Sequence, residues 1–226
     1  TTAHYVLRDR ERILDLFELL TGARFSVGFL RIGGVSADIT EGFMERVLET
    51  CDLIRVRIKE YNDLFTFNQA FLQRTQGVGI VTREQVAALG VTGPNARASG
   101  EPADVRRDVP YCGYENMDFE VPLGRGENGI LGAAHDRFLV RLREVAQAVE
   151  ILRQGVDAIP QGSFLTSGFN GIGARVPAGE AYARVESPKG LFACHLISDG
   201  SLRPARVRYR TPSQMHLLLL KSLLPG

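Results

Sequence analysis

Phe43, Val47, Cys51, Ile54, Ile58, Tyr61 and Phe65 follow one another at steps of four, four, three, four, three and four. That spacing is one apolar face of an α-helix, because 3.6 residues make a turn and every third or fourth side chain falls on the same side. A face this long calls for a helix of about 25 residues, with Thr40 as the predicted N-cap, and such a helix needs neighbours to cover it. Two other stretches supply them. Phe138, Leu142, Val145, Val149, Leu152, Val156 and Ile159 share a face that Pro160 ends, and Val6, Leu7, Ile13, Leu14, Phe17 and Leu20 place a helix over residues 3–21, closed by Gly22.

Between and after these helices the patterns shorten. Residues 25–30 read as an extended piece running into Arg31-Ile32-Gly33-Gly34-Val35. Thr82-Arg83-Glu84-Gln85 has the form of a capping box, with Gly90 closing a short helix. Tyr114 to Val121 alternates at Met117, Phe119 and Val121 and predicts a strand. A glycine-rich loop covers residues 161–180. Tyr182–Glu186, Leu191–Ser198 and Arg206–Arg210 then predict a small antiparallel meander with a turn at Asp199-Gly200. No βαβ alternation or internal repeat is present, so the class is α+β: a long-helix bundle with a small β-meander. Residues 1–160 form a mainly helical core, 161–180 the loop and 181–226 a β-rich part, together one incomplete domain.

Charge and cysteine usage narrow the function classes. Lys plus Arg number 27 against 26 Asp plus Glu, a net charge of +1, which gives the chain as a whole no footprint for nucleic acid or an anionic surface. No apolar run approaches the ~20 residues of a membrane span; runs such as Leu217–Leu220 are far too short. The amino end, with His4, Arg8 and Asp9, is not that of a signal peptide. Cys51, Cys112 and Cys194 are odd in number and far apart, which predicts a reducing compartment and no disulfide framework. Cys51 sits on an apolar helix face and reads as a buried structural thiol.

Candidate sites are few. Gly124-Arg125-Gly126-Glu127-Asn128-Gly129 spells G-x-G-x-x-G, but no second parallel strand follows, so a Gly-rich surface loop is the better reading than a dinucleotide site. His4, His135, His195 and His216 lack metal-ligand spacing, so no metal site is expected. Arg31 beside Gly33 and Gly34 is a plain turn or a place of close backbone approach with a cation at hand. Glu186 and Lys189 read as an exposed ion pair at the mouth of a hairpin, worth little by itself.

Several ordered stretches carry a resemblance. Arg10-Glu11-Arg12 through Thr21-Gly22-Ala23-Arg24, Arg31 to Val35 with Asp38-Ile39, and Thr92-Gly93-Pro94 with Arg97-Ala98-Ser99-Gly100 come first. Asp104-Val105-Arg106, Pro110 to Glu115, Asp136 to Arg141, Gly179-Glu180, Glu186-Ser187-Pro188-Lys189-Gly190, Ser198-Asp199-Gly200 and Arg210-Thr211-Pro212-Ser213 follow. The set resembles the large hydrophilic core subunit of respiratory complex I, NADH:quinone oxidoreductase, which is itself similar to the large subunit of nickel–iron hydrogenases.

The resemblance implies a hydrogenase-large-subunit-like fold. It implies a peripheral place on the cytoplasmic side of a membrane, or the matrix side in a mitochondrion. The partners implied are the subunit bearing the terminal [4Fe–4S] cluster, other hydrophilic-arm subunits and the membrane subunit of the quinone pocket. Quinone and cluster are then held with or by partners, and this chain binds no cofactor or metal and no nucleic acid. Ser26, Arg31, Gly33, Gly34, Glu186 and Lys189 become the cluster- or quinone-facing residues, with no catalytic residue in the chain itself. Two departures stand out: Ser26 occupies the place of a cluster-contacting His, and Leu191 that of a Glu. Two alternatives stay open, the large subunit of an energy-converting nickel–iron hydrogenase and a degenerate non-catalytic scaffold paralogue.

Overall fold

A computed structural model describes residues 2–166 and 175–224. In chain order the elements are α1 (Thr2–Thr21), β1 (Leu30–Arg31), β2 (Gly34–Val35), α2 (Phe43–Tyr61) with a π-helical turn at Asn62–Thr66, α3 (Gln69–Thr75), α4 (Arg83–Leu89), α5 (Pro94–Arg97), α6 (Val105–Asp108) and α7 (Ala134–Ala158). β3 (Gly179–Ser187), β4 (Gly190–Ser198), β5 (Arg206–Arg210), α8 (Pro212–Leu217) and α9 (Leu220–Leu223) complete them. The chain is therefore α+β. It divides into two compact units: residues 1–65 with 148–174, and residues 66–147 with 175–226. α7 supplies residues to both.

In the first unit α1 packs on α2, and the core gathers Val47, Cys51 and Val149, with Leu16, Phe43, Ile54 and Val156 around them. Burial pushes the Cys51 thiol pKa up, the behaviour of an inert structural cysteine. Ion pairs Arg55–Glu150 at 2.5 Å and Arg153–Asp52 at 2.7 Å flank this core on its wet side. Gly22 ends α1 with φ 75 and returns its N–H to Glu18 O, as its position demands. The N-cap of α2 is Gly42, with φ 75, and not Thr40. Thr40 instead lies in the turn ahead of it, where its carbonyl accepts from Phe43 N at 3.1 Å, and glycine accepts the left-handed geometry at position 42.

The second unit centres on Val81, Val86, Val91, Ala96 and Leu219. The Thr82–Gln85 capping box is formed reciprocally, and Gly90 closes α4 in the left-handed region. Its sheet is antiparallel in the order β3-β4-β5. The strand expected over residues 114–121 is absent: Tyr114–Asn116 make a 3-10 turn and the rest is irregular. Phe119 is nevertheless buried, with Arg106 and Arg107 over its ring and Tyr114 against its edge. Alternation there marks side chains with a wet and a dry side, and no neighbouring strand among the described residues offers a ladder. The loop expected over residues 161–180 falls in part, at 167–174, outside the described residues.

Candidate functional site

Two hairpin turns carry the residues singled out by sequence, except Ser26, which lies in a bend ahead of the first. Ser26, Arg31, Gly33 and Gly34 belong to the first unit, Glu186 and Lys189 to the second.

The first turn is as tight as a hairpin allows. Leu30 pairs with Val35 and Arg31 with Gly34, leaving Ile32 and Gly33 as a two-residue loop with Gly33 at φ 91. Gly34 is required for a second reason. The chain passes so close that a Cβ on Gly34 would lie 2.2 Å from Phe164 O. Val35 N donates to Phe164 O at 3.0 Å and Thr166 N to Gly33 O at 2.8 Å, stitching residues 164–166 to the hairpin. The paired glycines thus let two backbones touch, and the turn is held from behind.

Its front is open. Arg31 is exposed and, among the described residues, has no ion-pair partner. Leu30 and Ile32 beside it are 83% and 76% exposed. Ser26 is exposed as well, and its φ of 53 puts a non-glycine residue in the left-handed region. An exposed cation on a held turn, flanked by bare apolar side chains, is the composition of a protein-contact surface.

The second turn joins β3 to β4 at Ser187–Gly190. Here Glu186 does not pair with Lys189 on the surface. Its side chain is 5% exposed and binds Arg97 at 2.9 Å. Arg97 is the hub of a buried ion cluster: it donates to Glu144 at 2.7 Å and to Ala103 O at 3.1 Å, and lies 3.3 Å from Asp104. Asp104 in turn takes a two-pronged contact from Arg106, at 2.9 and 2.7 Å. The planar guanidinium fork makes this possible, since one group reaches several acceptors at fixed angles. Three carboxylates face two guanidiniums in this cluster. Burial pushes the pKa of Glu186 up, and the charge and hydrogen bond of Arg97 only partly offset it. Burial works against Asp104 too, but the Arg106 fork and the charge of Arg97 prevail and hold its pKa below the usual carboxylate range.

The turn is gripped along its backbone as well. Glu186 N donates to Tyr111 Oη at 2.9 Å, and Leu191 N to Thr92 Oγ1 at 3.1 Å. A Cβ on Gly93 would stand 2.3 Å from Gly190 Cα. The exposed Lys189, without an ion-pair partner among the described residues, is therefore carried on an anchored frame. Sequence reasoning did not single out Arg97 and Asp104, which hold the turn through this cluster. They lie in the Thr92–Gly100 and Asp104–Arg106 stretches, where a buried arginine is indistinguishable from a surface one until its partners are known.

The glycines of Gly124–Gly129 have other duties than a phosphate. Gly124 is forced by Ala98 O, 2.1 Å from where its Cβ would be, and Gly126 N and Gly132 N donate to the buried Asp136 carboxylate at 3.2 and 3.0 Å. No group of three or more His, Cys, Asp or Glu among the described residues is placed to hold a metal. No helix among them is long and apolar enough to cross a membrane.

The chain matches the family model described as the 49 kDa subunit of respiratory-chain NADH dehydrogenase over residues 1–170 and 165–226. It is 43% identical to an NADH-quinone oxidoreductase subunit of Desulforamulus reducens, over 98% of this chain and 59% of that protein. It is 38% identical to an NADH-quinone oxidoreductase subunit of Thermodesulfovibrio yellowstonii, over 98% of this chain and 61% of the relative. The chain thus spans about three fifths of the length of these relatives.

Proposed function

The chain belongs to the family of the 49 kDa subunit of respiratory-chain NADH dehydrogenase, and from that premise we propose that it acts as a subunit of an NADH:quinone oxidoreductase, packing on the subunit that bears the terminal [4Fe–4S] cluster and helping to form the quinone pocket. The observation that carries this reading is Arg31, a cation without a partner among the described residues, on a turn stitched from behind and framed by bare Leu30 and Ile32. A guanidinium stays charged at any working pH, so beside a redox centre it favours the reduced, more negative state. Lys189, on its anchored frame, is the second group that would face the quinone pocket. Cluster and quinone belong to that assembly; this chain contributes positive charge and shape.

The names of the relatives favour this reading over the hydrogenase alternative, since both are quinone oxidoreductase subunits. The peripheral position, and its side of the membrane, follow from the same reading.

Affinity purification of the protein from membranes of its native host tests the proposal. An iron–sulfur subunit should copurify, and Arg31→Ala should weaken that association and lower the midpoint potential of the cluster. Recovery of the protein free of any iron–sulfur subunit would overturn the reading.

A further inference from the structure

The near-neutral balance of the whole chain hides a segregation of charge. Residues 181–226 hold seven Lys and Arg against two acids, a net charge of +5, while residues 1–180 hold twenty against twenty-four. The excess has a definite geometry. In the sheet register Tyr182, His195 and Arg208 lie side by side across the three strands, and Arg206 falls in the row of Ile197 and Glu180. One face of the sheet therefore bears Arg184, Arg206 and Arg208. Glu180 on that face is taken by His195 Nε2 at 2.5 Å, and Arg210 spends its donors on Leu191 O and Gly90 O. Arg184, Arg206 and Arg208 have no carboxylate partner among the described residues.

β5 itself is open. It is hydrogen-bonded to β4 alone, and among the described residues no strand lies along its outer edge. Residues 206–209 are exposed on both faces of the sheet, with Val207 at 38% and Tyr209 at 59% on the face opposite the arginines. An uncovered edge with apolar residues on one face and unpaired cations on the other is a template for another strand.

The chemistry selects among occupants. A second copy of this chain pairing antiparallel along β5 would set arginines against arginines, because the strand alternates Arg, apolar, Arg, apolar, Arg. An anionic bilayer would satisfy the guanidiniums and leave the backbone donors and acceptors of the edge unmatched. An extended segment with carboxylates at alternate positions satisfies both, since its acids recur every ~7 Å, the spacing of Arg206 and Arg208, and its intervening apolar side chains cover Val207 and Tyr209. We infer that the outer edge of β5 is a docking site for an acidic, extended segment of a partner protein, which joins the sheet as a fourth strand. This inference does not depend on the quinone oxidoreductase reading.

The experiment titrates the purified chain with an eight-residue peptide alternating Glu and Val, by calorimetry, with amide hydrogen exchange on the same samples. Saturable binding is expected, weakening with salt, together with new protection of the β5 amides. Arg206→Glu with Arg208→Glu should lose at least about tenfold in affinity and gain affinity for the matching Lys-Val peptide, a swap that mere misfolding does not produce. Arg206→Gln with Arg208→Gln, of unchanged circular dichroism, should show the same loss without the gain. A Glu-Val peptide carrying proline at alternate positions should not bind, because it lacks the backbone donors. Four results would each overturn the inference: no saturable binding of the Glu-Val peptide, equal binding of the proline form, binding only to anionic phospholipid vesicles, or self-association through β5.

Discussion

Arg97 and Glu186, 89 residues apart in sequence, meet at 2.9 Å with both side chains almost wholly removed from water. The pair ties the end of β3 to α5, and through Asp104 and Glu144 the same guanidinium reaches the start of α6 and the middle of α7. The turn that bears Lys189 is thereby held by a charge cluster as well as by its backbone grip, so its position depends in part on charge balance.

Arg97→Leu is expected to destabilise the chain by about 3–5 kcal/mol, because it leaves Glu186 and Asp104 buried without their shared cation. Arg97→Lys should recover little, since the donors of an ammonium sit on one nitrogen and cannot reach acceptors that Arg97 meets from separate nitrogens of its planar fork. Adding Glu186→Leu to Arg97→Leu should cost less than the two single losses combined, as coupled partners do. Urea denaturation of these variants beside the wild type measures all three statements; additive losses would show that the cluster does not act as a unit.

The same cluster sets a pH dependence. Burial raises the folded-state pKa of Glu186 above the ordinary 4.5, so the native state holds this proton where the unfolded chain has released it. Its contribution is complete below about pH 4.5 and is lost as pH rises through the raised value. Asp104, held low, acts in the opposite sense: its contribution is present above about pH 3.8 and is lost as pH falls through its lowered value. Glu186→Gln should therefore gain on the wild type in unfolding free energy as pH climbs from about 4.5. Parallel stability curves for the two proteins would show that Glu186 titrates normally.

Much of this arrangement was legible in sequence, and the limits were physical. The three long helices follow from period and length, and the Thr82–Gln85 box formed because its two side chains need only local partners. The meander followed from alternation bounded by Gly190 and Gly200. Residues 114–121 misled because Phe119 is dry for reasons of tertiary packing that alternation mimics. Glu186 misled in the other direction. A Glu four residues from a Gly and three from a Lys looks solvated, and only the fold brings Arg97 from a different element to bury it. Arg31 could be located at a turn, whereas Ser26, read as part of an extended piece, sits in a bend with φ 53, and the role of their surface depends on what covers it.

Close backbone approach gives a sharper test of the Lys189 frame. Gly93 has φ 70, and a Cβ there would lie 2.3 Å from Gly190 Cα and 2.6 Å from Lys189 O. Gly93→Ala should cost roughly 2 kcal/mol or more through strain and overpacking, and should displace the turn. Gly113→Ala is the control: φ 88 imposes the same kind of strain, but nothing lies within 4 Å, so the loss should stay near ~1–2 kcal/mol. Hydrogen exchange at Leu191, whose N–H donates to Thr92, reads the displacement directly. Unchanged protection in Gly93→Ala would mean that the frame yields without moving the turn.

Ser26 offers a test in the assembled complex. The family resemblance places a cluster-contacting His at this position, and the backbone here, at φ 53, suits it, since His tolerates the left-handed region better than most residues. Ser26→His should therefore fold with little loss, whereas the β-branched Ser26→Val should be the more destabilised of the two. A hydroxyl does not titrate near neutrality, so the partner cluster should have a nearly pH-independent midpoint potential in the unmodified protein. An imidazole in the same place would take up a proton as the cluster is reduced, because the added negative charge raises its pKa. Ser26→His should then make the potential fall with pH between the two imidazole pKa values, with a limiting slope of roughly 59 mV per unit for one electron and one proton. Redox titration followed by electron paramagnetic resonance at several pH values measures this. A steep slope in the unmodified protein would assign the proton to another group and remove Ser26 from the surface that faces the cluster.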